Sequence, residues 1–108
     1  MRLLACLTLA AAPAFAQGVP EGQTVTYGCD GGATLAVAYI IPPGGESYAV
    51  VLHDGQLIPM KAGPTGSGVR YLSLDDSGLV WHSKGDEGFL ARDADMSMIA
   101  EGCTETGG

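Results

Sequence analysis

"ATLAVAYI", residues 33–40, alternates by twos: Leu35, Val37 and Tyr39 fall on one face, Ala36 and Ala38 on the other. A period of two is the mark of a β-strand with one face buried. A surface helix would need apolar residues three and four positions apart. No window after residue 16 carries that pattern. The stretch is also bounded by turn chemistry, "DGG" at 30–32 and "PPGGE" at 42–46. The chain contains no Asn, so Asp-Gly and Gly-Gly must supply the turn positions that need positive φ.

The same grammar runs in both directions from this strand. Thr24–Asp30 precedes it. Ser47–His53, Gln56–Lys61, Val69–Leu74, Gly78–His82, Gly88–Arg92 and Met96–Cys103 follow, separated by "HDGQ", "AGPTGSG", "DDSG", "SKGDEG" and "DAD". In the last strand Met96, Met98 and Ala100 alternate with Ser97 and Ile99. Eight short strands with short connections predict an all-β, antiparallel, up-and-down sheet in a single small domain. Closing it into a barrel would remove the sheet edges. Pro59 cannot donate to a ladder and must then stand at an edge, a bulge or a frayed position. "AGPTGSG" (62–68) is the most glycine-rich connector and by composition the most mobile.

The ends of the chain read differently. Met1-Arg2, the apolar run Leu3–Ala12 and Ala14-Phe15-Ala16 form a secretory signal, residues 1–16, too short to span a bilayer. "LLAC" (3–6) has the look of a lipoprotein processing site, but too few residues precede Cys6, so lipid anchoring there is not expected. Export implies a periplasmic protein with no membrane span. Residues 17–23 read as a flexible N-terminal arm, 24–103 as the barrel domain and 104–108 as a disordered tail.

Past residue 16, four basic residues (Lys61, Arg70, Lys84, Arg92) face twelve acidic ones, a net charge of −8. Phosphates would be repelled, so nucleic acid is not an expected partner. A basic protein is, because complementary fields speed encounter. Cys29 and Cys103 are the two remaining cysteines, and in an exported chain a disulfide between them is the default. That leaves no free thiol for nucleophilic chemistry. Asp75-Asp76 and Asp86-Glu87 are paired carboxylates, but both lie in hairpin turns, where Asp is favoured for local hydrogen bonding. His53 and His82 lack metal-ligand spacing. "SGVRY" is not a nucleophile elbow. The expectation is a non-enzyme with neither metal nor cofactor.

Four features in order sharpen this: "TYGCD" (26–30), "GSGVRY" (66–71), "SKGDEG" (83–88) and the late Cys103. Together they resemble the family of periplasmic and membrane-bound inhibitors of C-type lysozyme (MliC/PliC), over nearly all of 24–103. The resemblance implies an eight-stranded antiparallel barrel, in agreement with the strand reading. It also implies occlusion of a C-type lysozyme cleft by the serine of S-G-x-x-Y and the lysine of K-G, here Ser67 and Lys84. Gly66 and Gly68 keep the Ser67 loop thin, Gly85 removes a side chain beside Lys84, and Arg70 and Tyr71 support the contact loop or belong to the strand. The family form has Trp two residues before the lysine. Here Trp81 stands three before it and His82 takes that place. A shift of one residue reverses the face of a strand side chain, so Trp81 is either core or surface. Gly88 replaces the usual alanine. The alternative is a non-catalytic envelope barrel, structural or binding a small apolar ligand. A homodimer stays open.

Overall fold

A computed structural model describes residues 21–106. The expected signal peptide, Cys6 and residues 17–20 of the expected arm lie outside the described residues. Eight strands follow one another: β1 (Glu21–Gly28), β2 (Thr34–Ile41), β3 (Tyr48–His53), β4 (Gln56–Gly63), β5 (Val69–Ser73), β6 (Leu79–Lys84), β7 (Glu87–Arg92) and β8 (Met98–Glu105). A short 3₁₀ turn, Asp30–Gly32, links β1 to β2. Each strand pairs antiparallel with the next, and β8 pairs with β1, giving a closed up-and-down barrel.

The alternation that predicts the strands fills the interior. Val25 and Tyr27, Leu35 and Val37, Ala49 and Val51, Ile58 and Met60, Tyr71, Leu79 and Trp81, Leu90, and Ala100 and Cys103 point inward. Eight strands enclose a lumen that side chains can fill. Trp81, Tyr27, Met60 and Leu90 do so here, fully buried. That filling opposes a ligand-carrying interior.

The turns use the expected residues. Asp54 (φ 54°) and Gly55 (φ 77°) join the paired residues His53 and Gln56, the positive-φ pair a type I′ hairpin requires. Pro59 pairs with Val50. Its carbonyl accepts from the Leu74 amide at 2.8 Å, one residue past the last β4–β5 pair, Met60–Ser73. The missing N–H of Pro59 thus faces a frayed end of the ladder.

The seam is the weakest joint. β1 and β8 share only Tyr27–Glu105 and Gly28–Thr104. The Cys29–Cys103 disulfide, with Cα atoms 3.9 Å apart, ties the same two segments together. In the chain-entropy picture a loop of this length is worth roughly 4 kcal/mol.

Several boundaries differ from expectation. β1 begins at Glu21, because Glu21, Gly22 and Gln23 pair with Ile41, Ile40 and Tyr39, so this part of the expected arm is strand. Thr104 and Glu105 extend β8, and the Thr106 amide donates to the Thr26 carbonyl at 3.0 Å, so this part of the expected tail is ordered by the seam. β8 starts at Met98, and two register shifts against β7 break its alternation: Ala100 is buried and Met98 is exposed. Met96, at φ 57°, belongs to the connection.

Candidate functional site

β6 runs two residues further than its sequence suggests. His82 pairs with Phe89, Ser83 with Gly88 and Lys84 with Glu87. Gly85 (φ 63°) and Asp86 form the two-residue turn, with glycine at the first central position as a type II′ hairpin requires. Lys84 is therefore not the tip of a loop. It is the last residue of a paired strand, which fixes its backbone while its side chain stays exposed.

Pleating decides the rest of β6. Trp81 points inward and is fully buried, which settles its place as core. Its ring meets Tyr27 edge-on at 4.9 Å between centroids, and its Nε1 donates to the Tyr39 hydroxyl at 2.9 Å. Tyr39 and Tyr27 hydroxyls lie 2.6 Å apart, and Tyr71 and Ser47 hydroxyls 2.9 Å apart. Burial, with the Tyr39 hydrogen bond and charge added, pushes the Tyr27 phenol far above its ordinary value. Burial raises Tyr71 as well, with the Ser47 hydrogen bond opposing it. These four rings stiffen the barrel wall behind the candidate site. Gly88 belongs to the same packing: a Cβ there would stand 2.6 Å from the Trp81 ring. Glycine in place of alanine is thus not a small change here but a condition of burying Trp81.

His82 and Lys84 share the outward face, two residues apart. The 64–68 connection lies against them. The Ser67 carbonyl is 2.9 Å from His82 Nε2 and also accepts from Thr65 Oγ1 at 3.1 Å. Gly68, at φ 71°, comes so close to β6 that a Cβ there would be 2.5 Å from the Ser83 carbonyl oxygen and 3.0 Å from Lys84 Cβ. Only glycine suits both the left-handed backbone and that approach. Composition marks this connector as mobile, yet it is anchored across the barrel rim.

The structure brings Ser67, Gly68, Lys84 and Gly85 to one edge. Tyr71 is not with them: it is 4% exposed and turned into the core. Arg70 is on the outer face, opposite His82 in register, and its Nη2 donates to Asp93 at 2.9 Å. Its Nε is buried without a hydrogen-bond partner. Lys61 is paired too, with Glu46 at 3.1 Å, which raises the ammonium and lowers the carboxyl. Lys84 makes no ion pair among the described residues, although Glu87 stands opposite it in register. An exposed, unpaired ammonium on an otherwise acidic domain is available to a partner's carboxylates.

Sequence reasoning missed His82 as part of this edge. The signal was present: period two places it on the face of Lys84 once β6 extends that far. Among the described residues no group of three or more His, Cys, Asp or Glu is arranged to hold a metal ion, and no helix is long and apolar enough to cross a membrane.

The fold and this edge define a small acidic barrel, closed by a disulfide, that offers an exposed lysine, in no ion pair among the described residues, beside a thin glycine loop. The chain belongs to the MliC family, whose model, described as "Membrane-bound lysozyme-inhibitor of c-type lysozyme", matches residues 27–98. It is similar to a membrane-bound lysozyme inhibitor of C-type lysozyme from Cupriavidus necator, 37% identical over 71 residues that make up 66% of this chain. The chain spans about half, 54%, of that relative's length. Among solved structures it is similar to Pseudomonas aeruginosa MliC in complex with hen egg white lysozyme, with a TM-score of 0.65 and 27% identity over 82% of this chain and 86% of that one. It also shares its fold with PliC, the periplasmic lysozyme inhibitor of C-type lysozyme from Salmonella typhimurium. That match has a TM-score of 0.73 and 23% identity, over 80% of this chain and 99% of that one.

Proposed function

We propose that this protein is a periplasmic inhibitor of C-type lysozyme, acting by reversible occlusion of the active-site cleft with no turnover and no cofactor. The observation that carries the reading is the meeting of a strand end and a loop. Lys84, exposed and in no ion pair among the described residues, lies beside Gly68 of the Ser67 loop on one rim of a barrel that belongs to the inhibitor family. The complex solved for the Pseudomonas relative supports the choice of partner.

The chemistry fits the target. A C-type lysozyme cleft holds two carboxyl groups, one protonated and one ionised. An ammonium with three donors is a compact counter-charge for such a site. The Ser67 hydroxyl can donate to or accept from the same groups. Gly68 and Gly85 leave no side chain beside the contact atoms. Lysozymes of this class are basic, and a domain carrying −8 beyond its leader would be steered toward them.

The test is titration of purified protein into hen egg white lysozyme acting on cell walls. Activity should fall to a plateau near zero as inhibitor is added. Unchanged lysis at micromolar inhibitor sinks the reading for that lysozyme. Ser67→Ala and Lys84→Ala should each weaken inhibition without altering the melting temperature.

A further inference from the structure

We infer that His82 is a positioning residue: it holds the Ser67 loop against β6 so that Ser67 and Lys84 are presented as one preformed surface. The inference rests on the occlusion reading above and adds the device that makes it effective.

A five-residue connection between Gly63 and Val69 that contains Gly66 and Gly68 has much conformational freedom to lose. A binder that orders such a loop only on contact gives up affinity to do so, and a preformed loop does not. Here three contacts fix it before any partner arrives. Thr65 Oγ1 accepts from the Ser67 amide at 3.4 Å and donates to the Ser67 carbonyl at 3.1 Å, which closes the loop on itself. Gly68 lies flat on the end of β6. Among the described residues His82 supplies the one side-chain hydrogen bond that crosses from the barrel wall to the loop, Nε2 to the Ser67 carbonyl at 2.9 Å. A carbonyl oxygen only accepts, so His82 must carry a proton on Nε2.

The geometry of His82 suits holding rather than touching. It is half-buried, its ring packs on Phe89 at 5.2 Å, and it sits two residues before Lys84 on the same face of a paired strand. Turning the Ser67 carbonyl back toward the barrel leaves the Ser67 hydroxyl exposed, with no partner among the described residues. Asn or Gln could supply the same donor. An apolar ring could pack on Phe89 but could not.

The experiment compares the full mature protein with His82→Phe, His82→Gln and Lys84→Ala in three measurements: inhibition of hen egg white lysozyme, thermal unfolding, and amide hydrogen exchange at Gly66–Gly68. His82→Phe keeps the ring and removes the donor. It should weaken inhibition about five- to tenfold, the effect of one lost hydrogen bond. It should also speed loop exchange and melt close to the parent. His82→Gln should restore most of the inhibition and the slow exchange. If His82→Phe fails to fold, His82→Ala takes its place. Full inhibition by His82→Phe beside impaired inhibition by Lys84→Ala overturns the positioning role and leaves occlusion standing. Full inhibition by Lys84→Ala overturns both. Equal losses in the Phe and Gln variants also overturn the role, because the donor would then not be what matters.

Discussion

The two faces of β6 do different work. Inward, Trp81 is locked by Tyr27, Tyr39 and Gly88, with every polar atom of that ring satisfied. Outward, His82 and Lys84 meet solvent and a loop, and Lys84 has no ion pair among the described residues. A strand of six residues thus carries core packing on one side and, in the proposed function, recognition on the other, because successive side chains point opposite ways. The lesson is that the two properties should separate under mutation.

The sharpest break is on the inward side. Trp81→Ala empties the centre of the barrel and should cost about 3–5 kcal/mol, read by chemical denaturation. Inhibition by whatever remains folded should persist. Replacing Cys29 and Cys103 together by Ala should cost about 2–5 kcal/mol, since the seam they staple has only two residue pairs. Tyr39→Phe removes the hydroxyl shared by Tyr27 and Trp81 Nε1, and should cost about 1–3 kcal/mol for the groups left unsatisfied.

Tyr27 adds a pH dependence to the same face. Its folded phenol is raised above the ordinary value of 10.0, so the folded state holds that proton more tightly than the unfolded one. The stabilisation is fully present below about pH 10 and is lost as pH rises beyond it. Tyr27→Phe should flatten the fall in melting temperature between pH 9 and pH 11. A slope as steep as the parent's would remove Tyr27 as its source. The smallest stability effect belongs outside: Lys84→Ala should move stability by less than about 0.5 kcal/mol, as surface changes do, while inhibition falls. A loss of stability comparable to Trp81→Ala would erase the difference between the faces.

Much of the barrel was legible in the sequence because its signals are local. Period two in Leu35, Val37 and Tyr39, and Asp54-Gly55 between strands, are one-dimensional facts about pleat and turn. The ends of β1 and β8 were not legible. Glu21–Gln23 and Thr104–Glu105 look like loose termini by composition, and become strand only through partners far along the chain. The register shifts in β8 had the same cause, so Met98 and Ala100 parted company. At the candidate site, Ser67, Gly68, Arg70, Tyr71, Lys84 and Gly85 were all named from motifs, whereas the burial of Tyr71 and the pairing of Arg70 with Asp93 are visible only in the fold.

The sequence by itself determined the strand count, the turn residues, the charge, the cysteines and the motifs that point to an inhibitor. All of these depend on neighbours within a few positions or on composition alone. Tertiary structure decided that Trp81 is core, that Gly88 must be glycine, that the Ser67 loop is anchored by His82, and that Lys84 has no ion pair among the described residues. Each is a statement about which distant side chains share a few ångströms of space, and only closure of the barrel sets those distances.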